Sequence, residues 1–305
     1  MLRSSPFYGI AILLALLSGC TPSRTPQADE ESPTRGRVEL LCDEAIATVL
    51  AEPLRRFDTL FPEAHVEVRA VPAREAMRQL LSGAARIIVL ARGYLPDEDS
   101  LMRAFAVPAH PQVALAEDAL VFFVRPEFPL DTLNVEQLRA VLSGKARLRE
   151  LFPQLRSEPE WVCLSTASSV YAHLVMQVLG GRPPKIPLRL VSQSDSVRLL
   201  VEQSPNRIGI GYLSHIARRA SVKALELSFT DSTGAYVSPK PVHQAYVVLR
   251  KYPYIVPIRA YLRDDLRNLP WTVATFLGTD AEVQRHFRDI GIVPAFAQIR
   301  LIPEE

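Results

Sequence analysis

An arginine and a group of hydroxyl side chains stand where predicted strands end, and their chemistry suits a small oxyanion. Arg92 follows the apolar run Ile87–Leu90, which is typical of a strand buried on both faces, so its guanidinium is expected at the rim of a sheet. Hydroxyl residues follow a second predicted strand near Trp161–Leu164 and begin a helix. Guanidinium groups, hydroxyls and the free N–H groups of a helix start all donate hydrogen bonds to oxyanions. The candidate ligand-binding hydroxyl residues are Ser165, Thr166, Ser168 and Ser169.

Each of these residues also has a structural interpretation. Arg92 can form an ion pair with Asp97 or Glu98, which follow it closely in the sequence. One of the serines is expected to cap the helix by accepting a backbone N–H. The sequence leaves both interpretations open.

Three more charged residues are candidates at strand ends and helix starts. Asp43 and Glu44 follow the predicted strand Val38–Cys42, and Arg74 stands at the start of the next predicted helix. A carboxylate can accept the proton of a monohydrogen oxyanion, but it can equally cap the helix that follows it. The Arg74 guanidinium can bind an oxyanion, or it can lie solvated on the surface.

Strands and helices alternate along most of the chain, which predicts βαβ units and a parallel sheet. The predicted strands lie at residues 38–42, 66–69, 87–91, 119–124, 161–164, 186–191, 208–213 and 242–249. The predicted helices lie at residues 46–60, 75–82, 135–142, 168–179 and 195–203, and the part of the chain after residue 249 is expected to be mostly helical.

Capping residues mark the ends of several of these helices. Asn134 is expected to cap the helix that ends at Gly144. Thr279 and Glu282 have the spacing of a capping box, and Gly291 is expected to end that last helix.

Five stretches, in this order, resemble the phosphate-binding family of periplasmic substrate-binding proteins that serve ABC transporters. They are spread over nearly all of the chain after residue 37, and their order and spacing make the set more specific than any one of them. The stretches are Glu117–Val124, Leu133–Lys145 with its Leu-Ser-Gly-Lys ending, Arg207–Tyr212, the Tyr252-Pro253-Tyr254 turn, and Phe276 to Pro294 with its Gly-Ile-Val-Pro ending.

The resemblance implies a two-lobed α/β fold of the type II periplasmic-binding-protein class, in which each lobe is a mixed sheet flanked by helices. Lobe I would comprise residues 38–116 and 241–305, lobe II would comprise residues 117–240, and two crossover strands would join them. A ligand would be trapped between the lobes, at the carboxyl ends of the strands. The implied function is capture of phosphate or a similar oxyanion by a monomer that delivers it to an ABC permease, without catalysis and without a cofactor.

The candidate site departs from the family in three of its four loops. The first loop, which is a Gly/Ser/Thr-rich turn in the family, is Cys42-Asp43-Glu44-Ala45 here. The second loop, Pro72–Glu75, lacks the family's glycines, although Arg74 could replace their backbone donors. The family's arginine just before the hydroxyl motif at residues 165–169 has no counterpart. An alternative function is therefore that of a ligand-altered or ligand-free lipoprotein of the same fold, which acts as a sensor or adaptor.

The N-terminus predicts export and a lipid anchor. Arg3 precedes a short apolar run at residues 10–17, which is too short to span a bilayer and is typical of a signal peptide. Leu17-Ser18-Gly19-Cys20 resembles the bacterial lipobox, which makes Cys20 the expected lipidated N-terminus of the mature protein. Residues 1–19 would be the signal peptide and residues 20–37 a flexible tether. The alternative is a simple signal peptide with an incidental cysteine.

Composition and motifs argue against other classes of protein. A formal net charge of +2, with no basic run that contains aromatics, gives no indication of nucleic-acid binding. The sequence has no Gly-x-Ser-x-Gly, His-Glu-x-x-His or Walker-type loop, so an enzyme is not expected. Cys42 and Cys163 stand at predicted strand ends, one in each predicted lobe. We expect two small buried residues, and a disulfide across the cleft is the alternative.

Overall fold

The computed structural model describes residues 31–296. Cys20, the predicted signal peptide and the first part of the predicted tether lie outside the described residues. The end of the predicted tether is part of the folded domain: the first strand begins at Gly36, and the Glu31 carboxylate accepts two hydrogen bonds from the Arg86 guanidinium. Residues 31–37 of the predicted tether therefore belong to the folded domain.

Strands occur along the whole described chain, and most of the longer ones coincide with the predicted strands. The strands are β1 Gly36–Asp43, β2 Ala64–Val71, β3 Ile87–Leu90, β4 Gln112–Val124, β5 Thr132–Asn134, β6 Glu160–Leu164, β7 Leu188–Val191, β8 Arg207–Tyr212, β9 Lys223–Ala224, β10 Glu226–Thr230, β11 Tyr236–Val237, β12 Ile255–Leu262 and β13 Val293–Pro294. β4 is the longest strand because its first part pairs with β12 and its last part pairs with β8.

Helices separate most of the strands. A 3-10 turn at Glu44–Ile46 precedes the first helix, and a π-helical turn at Leu174–Val178 extends the sixth. The helices are α1 Ala47–Leu60, α2 Ala73–Leu81, α3 Pro96–Ala104, α4 Val135–Leu142, α5 Leu148–Leu151, α6 Ser169–His173, α7 Ser194–Glu202, α8 Leu213–Ile216, α9 Gln244–Val248, α10 Leu269–Thr279 and α11 Ala281–Asp289. Among residues 31–296, no helix is long and apolar enough to cross a membrane.

The main strands form two groups that share β4. The first sheet has the order β2-β1-β3-β12-β4, and the second has the order β4-β8-β6-β7. Residues 112–119 of β4 pair with β12, and Leu120–Phe123 pair with β8, so the strand passes from one sheet into the other near Ala119. The expected mixed α/β fold is confirmed. The sheet is not wholly parallel, because β4 and β12 run antiparallel to their neighbours.

Local sequence explains how these strands reach the interior. All four residues of β3 are buried, as its unbroken apolar run predicts. β8 contains Gly209, where a Cβ would lie 2.4 Å from the Phe123 ring on β4. The glycine therefore permits close packing of β8 against the strand that joins the two sheets.

Three predictions in the C-terminal third are wrong. The predicted strand at residues 242–249 contains the helix α9, because a short apolar run does not distinguish a strand from a helix. The part of the chain after residue 249 was expected to be mostly helical, but it contains the central strand β12. This strand includes Pro257, which is usually a signal against a central strand. Pro257 is tolerated because the pairing of β12 with β3 begins only at Arg259. The cap of α11 is Asp280, which accepts from two backbone N–H groups, and not the Thr279–Glu282 box.

Candidate functional site

Asp43, the last residue of β1, lies at the centre of the candidate site. Its side chain is fully buried, and its two carboxylate oxygens accept the backbone N–H of Ala45 at 3.2 Å and of Ala91 at 3.3 Å. Burial raises the pKa of Asp43 above its ordinary value, while hydrogen bonds from Ser169, Ala45 and Ala91 and the charge of Arg92 oppose that rise. Asp43 thus caps the turn that follows it, and it also links β1 to the end of β3.

Arg92 is buried at the end of β3, and its guanidinium pairs with Glu98. Nη1 and Nη2 each donate to one oxygen of the Glu98 carboxylate at 2.7 Å, in a two-point contact. Both side chains are almost completely inaccessible, at 2% and 7% exposure. Nη1 also donates to the Gly93 carbonyl, whereas Nε has no hydrogen-bond partner within the described chain. Arg92 therefore forms the ion pair with Glu98 that was one of its two interpretations, and its Nε–H group has no partner within the described chain.

Arg74 pairs with Asp97 rather than lying solvated alone. Its guanidinium donates to both Asp97 oxygens, at 2.5 and 3.3 Å, and the pair is about half exposed. The backbone N–H of Arg74 donates to the Ala167 carbonyl at 3.1 Å, which brings the start of α2 against the loop before α6.

The hydroxyl residues divide into buried and accessible ones. Ser168 caps α6, because its Oγ accepts the Tyr171 N–H at 3.1 Å. Ser169 is fully buried and accepts a hydrogen bond from the Tyr212 hydroxyl at 2.7 Å. Ser165 is half-buried and Thr166 is exposed. Of the four hydroxyl residues, Ser168 and Ser169 are thus the two that lie in the interior.

Glu44 does not cap the helix that directly follows it. Its Oε1 accepts the backbone N–H of Ser194 at 2.6 Å, at the start of α7 on the second-sheet side. Burial raises the pKa of the Glu44 carboxyl, and the hydrogen bond from the Ser194 backbone opposes this rise. A carboxylate from the first sheet therefore lies at the positive end of a helix that packs on the second.

Two histidines, which the sequence analysis did not select, donate across the same boundary. His173 on α6 contacts the Ala91 carbonyl at 2.7 Å through Nε2, and His215 on α8 contacts the Ala45 carbonyl at 2.6 Å through Nε2. Burial lowers the pKa of His173 to about 4, so its imidazole is neutral near pH 7 and Nε2–H is the donor. No local sequence signal could have identified these donors, because their acceptors are backbone carbonyls far away in the chain.

These contacts form a seam between the two sheets. We define the seam as the hydrogen bonds that join the loops after β1, β2 and β3 to the start of α6, the start of α7, His173 and His215. The structure thus brings Asp43, Arg92, Ser168 and Ser169 together inside the seam. Arg74 and Glu44 lie at its edges, whereas Ser165 and Thr166 are more accessible.

Cys42 and Cys163 are both buried and free, so the alternative disulfide is not formed. Burial raises the pKa of the Cys163 thiol to about 12 and that of the Cys42 thiol well above its ordinary value, which makes both thiols unreactive near neutral pH. Within residues 31–296, no group of three or more histidine, cysteine or acidic side chains could hold a metal ion.

Comparisons with known proteins agree on the fold. A family model described as a PBP superfamily domain matches residues 27–162. No curated protein matches the sequence.

Solved structures resemble the chain over most of its length. One is a substrate-binding protein of a phosphate ABC transporter from Clostridium perfringens with bound phosphate; it is 16% identical, has a TM-score of 0.72, and the match covers 85% of this chain and 100% of that one. An ABC-type phosphate transport receptor from Vibrio cholerae is 16% identical with a TM-score of 0.63, over the same shares of the two chains. At such low identity the likeness establishes the fold. The domain model covers less than half of the chain, so the comparisons together show a fold of the periplasmic-binding-protein type.

Proposed function

We propose that the protein is a non-enzymatic, extracytoplasmic solute-binding protein that captures a small oxyanion, with phosphate as the favoured ligand, for an ABC permease. One observation carries the proposal. The carboxyl ends of β1 and β3 in the first sheet and the start of α6 on the second bring Arg92 and Ser169 to one buried point around Asp43, and the buried Ser168 precedes Ser169 there. One structural neighbour carries bound phosphate and the other is a phosphate transport receptor, which supports the choice of ligand.

The fold supplies a way for a ligand to reach this buried point. The two lobes, at residues 38–116 with 241–305 and at residues 117–240, would open about β4, the strand that the two sheets share. Opening would break the seam and expose Arg92 and the start of α6. An oxyanion could then accept hydrogen bonds from the Arg92 Nε–H, from the hydroxyls and from the backbone N–H groups at the start of α6.

A thermal-shift titration of the mature chain carrying Cys20→Ser tests this function. We expect inorganic phosphate to raise the melting temperature in a saturable manner, and Arg92→Ala to abolish the rise relative to that variant's own ligand-free melting temperature. Arg74→Ala, which removes an exposed guanidinium at the edge of the seam, is the matched control and should keep most of the rise. An unchanged melting temperature with phosphate, sulfate and molybdate alike contradicts the proposal.

A second candidate function is that of a sensor or adaptor that no longer binds an oxyanion. It is favoured by the pairing of the predicted binding groups with other protein groups: Arg92 with Glu98, Arg74 with Asp97, and Ser169 with Tyr212. This candidate predicts that the anion titrations are flat and that crosslinking in cells captures a protein partner. Saturable binding of any of the anions would remove it.

We further propose that the protein is a monomer held on the membrane by lipid on Cys20. A lipid anchor would keep the binding domain near its permease without a membrane-spanning helix. Growth with an alkyne-tagged fatty acid should label the wild-type protein and not the Cys20→Ser variant, which should be released from the membrane fraction. Labelling that survives Cys20→Ser would contradict the anchor, and sedimentation of the released form as a dimer would contradict the monomer.

A further inference from the structure

The Asp43 carboxylate is held as a bound anion would be held. Its oxygens accept N–H groups from two different backbone segments, at Ala45 after β1 and at Ala91 after β3. The Ser169 side chain, at the start of α6, lies on the second-sheet side of the carboxylate and helps to lower the pKa of Asp43. Two backbone donors from separate parts of the chain thus converge on one carboxylate that is entirely inaccessible to solvent.

These donors have no chemical preference for a side-chain carboxylate. Backbone N–H groups and a hydroxyl would serve the oxygens of a free oxyanion equally well. Asp43 also caps its own turn, but a cap needs only the Ala45 N–H, and the bond from the Ala91 N–H exceeds that need. Capping alone therefore does not account for the way in which Asp43 is bound.

Negative charge already predominates around Asp43. Arg92 is the cation whose charge acts on the Asp43 carboxylate, and Glu98 already takes up that cation in a two-point contact. His173, which also contacts the Ala91 carbonyl, is neutral near pH 7. An oxyanion that entered beside an ionised Asp43 would place like charges together in a buried site, which is strongly unfavourable.

We propose that Asp43 is a tethered internal anion, which occupies the oxyanion position of the ligand-free protein and competes with the ligand for it. The inference rests on the proposed oxyanion-binding function and adds to it a free-energy cost that the ligand must overcome to displace Asp43. In the absence of ligand, Asp43 keeps the seam closed, because it holds the ends of β1 and β3 together beside the start of α6. An oxyanion binds only as the Asp43 side chain leaves these donors, so its affinity is lower than the donor set alone would give.

Calorimetric titration with inorganic phosphate tests the competition. Asp43→Ser keeps a hydroxyl that can cap the Ala45 N–H but removes the charge, and we expect it to bind phosphate roughly tenfold more tightly than the wild type does, or tighter still. Asp280→Ser is the matched control: Asp280 caps α11 outside the seam, and its replacement should leave the affinity unchanged. Weaker or unchanged binding by Asp43→Ser overturns the proposal. Asp43→Asn, which keeps the shape without the charge, decides the question if the serine variant does not fold.

Small-angle scattering separates this inference from the proposed function. The wild-type protein should have the same radius of gyration with and without phosphate, whereas Asp43→Ser should be larger without phosphate and contract when phosphate is added. If none of the variants binds an oxyanion, the proposed function fails, and the ligand-free samples still decide the role of Asp43. A wild type more compact than Asp43→Ser supports the tethered anion, and equal radii overturn it.

Discussion

The seam and the strand crossing differ in how far their buried polar groups are paired. In the seam, both Nη groups of Arg92 pair with Glu98 while its Nε has no partner within the described chain, and Ser169 accepts from Tyr212. At the crossing, where β4 passes between the sheets, the Asp118 Oδ2 and the nearby Tyr254 hydroxyl are buried with no partner within the described chain. Buried polar groups without partners are costly and therefore rare in folded proteins.

This difference indicates where the molecule can move. A boundary between two lobes that carries many hydrogen bonds holds one geometry and opens only when those bonds are exchanged for others. A crossing strand with unsatisfied groups holds its geometry less firmly, because these groups gain partners when the local structure changes. We therefore expect the hydrogen bonds of the seam to resist opening, and we expect the lobes to hinge at β4.

The largest change in stability is expected at the buried ion pair between Arg92 and Glu98 in the seam. Arg92→Met removes the two-point partner of the buried Glu98 carboxylate, which keeps only the Leu95 N–H and the more distant Arg74, and should lower the free energy of unfolding by about 3–5 kcal/mol. The double variant Arg92→Met with Glu98→Met should recover most of that loss, because neither charge of the pair remains buried. Urea unfolding measures both variants. A double variant as unstable as the single one would show that the loss comes from packing rather than from charge.

The next effect concerns Asp118 at the crossing. Burial raises its pKa to about 6 from the ordinary 3.8, against the hydrogen bonds from Ser214 and from the Ala119 N–H. Because the folded protein holds this proton more tightly than the unfolded chain, stability falls as the pH rises from about 4 to 6 and then stays low. Asp118→Asn removes this penalty, and its stability relative to the wild type should be about 3 kcal/mol more favourable at pH 7.5 than at pH 4. A difference in the free energy of unfolding between the two proteins that does not change with pH would contradict the raised pKa of Asp118.

The smallest effect comes from one substitution made in both regions. Tyr212→Phe removes a hydroxyl that donates to Ser169 and should lower the free energy of unfolding by about 1 kcal/mol. Tyr254→Phe removes a hydroxyl that has no hydrogen-bond partner among residues 31–296, and it should leave stability unchanged or slightly raised. Thermal unfolding of the two variants under the same conditions measures the difference. Equal losses would mean that the crossing is as well satisfied as the seam.

The sequence predicted the elements of the site better than their partners. The end of β1, the end of β3 and the start of α6 follow from local apolar runs and capping residues, so Asp43, Arg92 and Ser168 were found. Glu98 was foreseen as one of two partners for Arg92, but Asp97 pairs with Arg74 instead. Tyr212 and His215 were missed because they contact residues far away in the sequence, and such contacts leave no local pattern. β12 was missed for a similar reason, since its place between β3 and β4 depends on strands far from it in sequence.

The most direct measurement is a crystal structure of the mature chain carrying Cys20→Ser, grown with phosphate. We expect a phosphate between the Arg92 Nε and the start of α6, with the Asp43 side chain turned away from the Ala91 N–H. A structure in which Asp43 keeps its bonds to Ala45 and Ala91 and no phosphate lies inside the seam would contradict it.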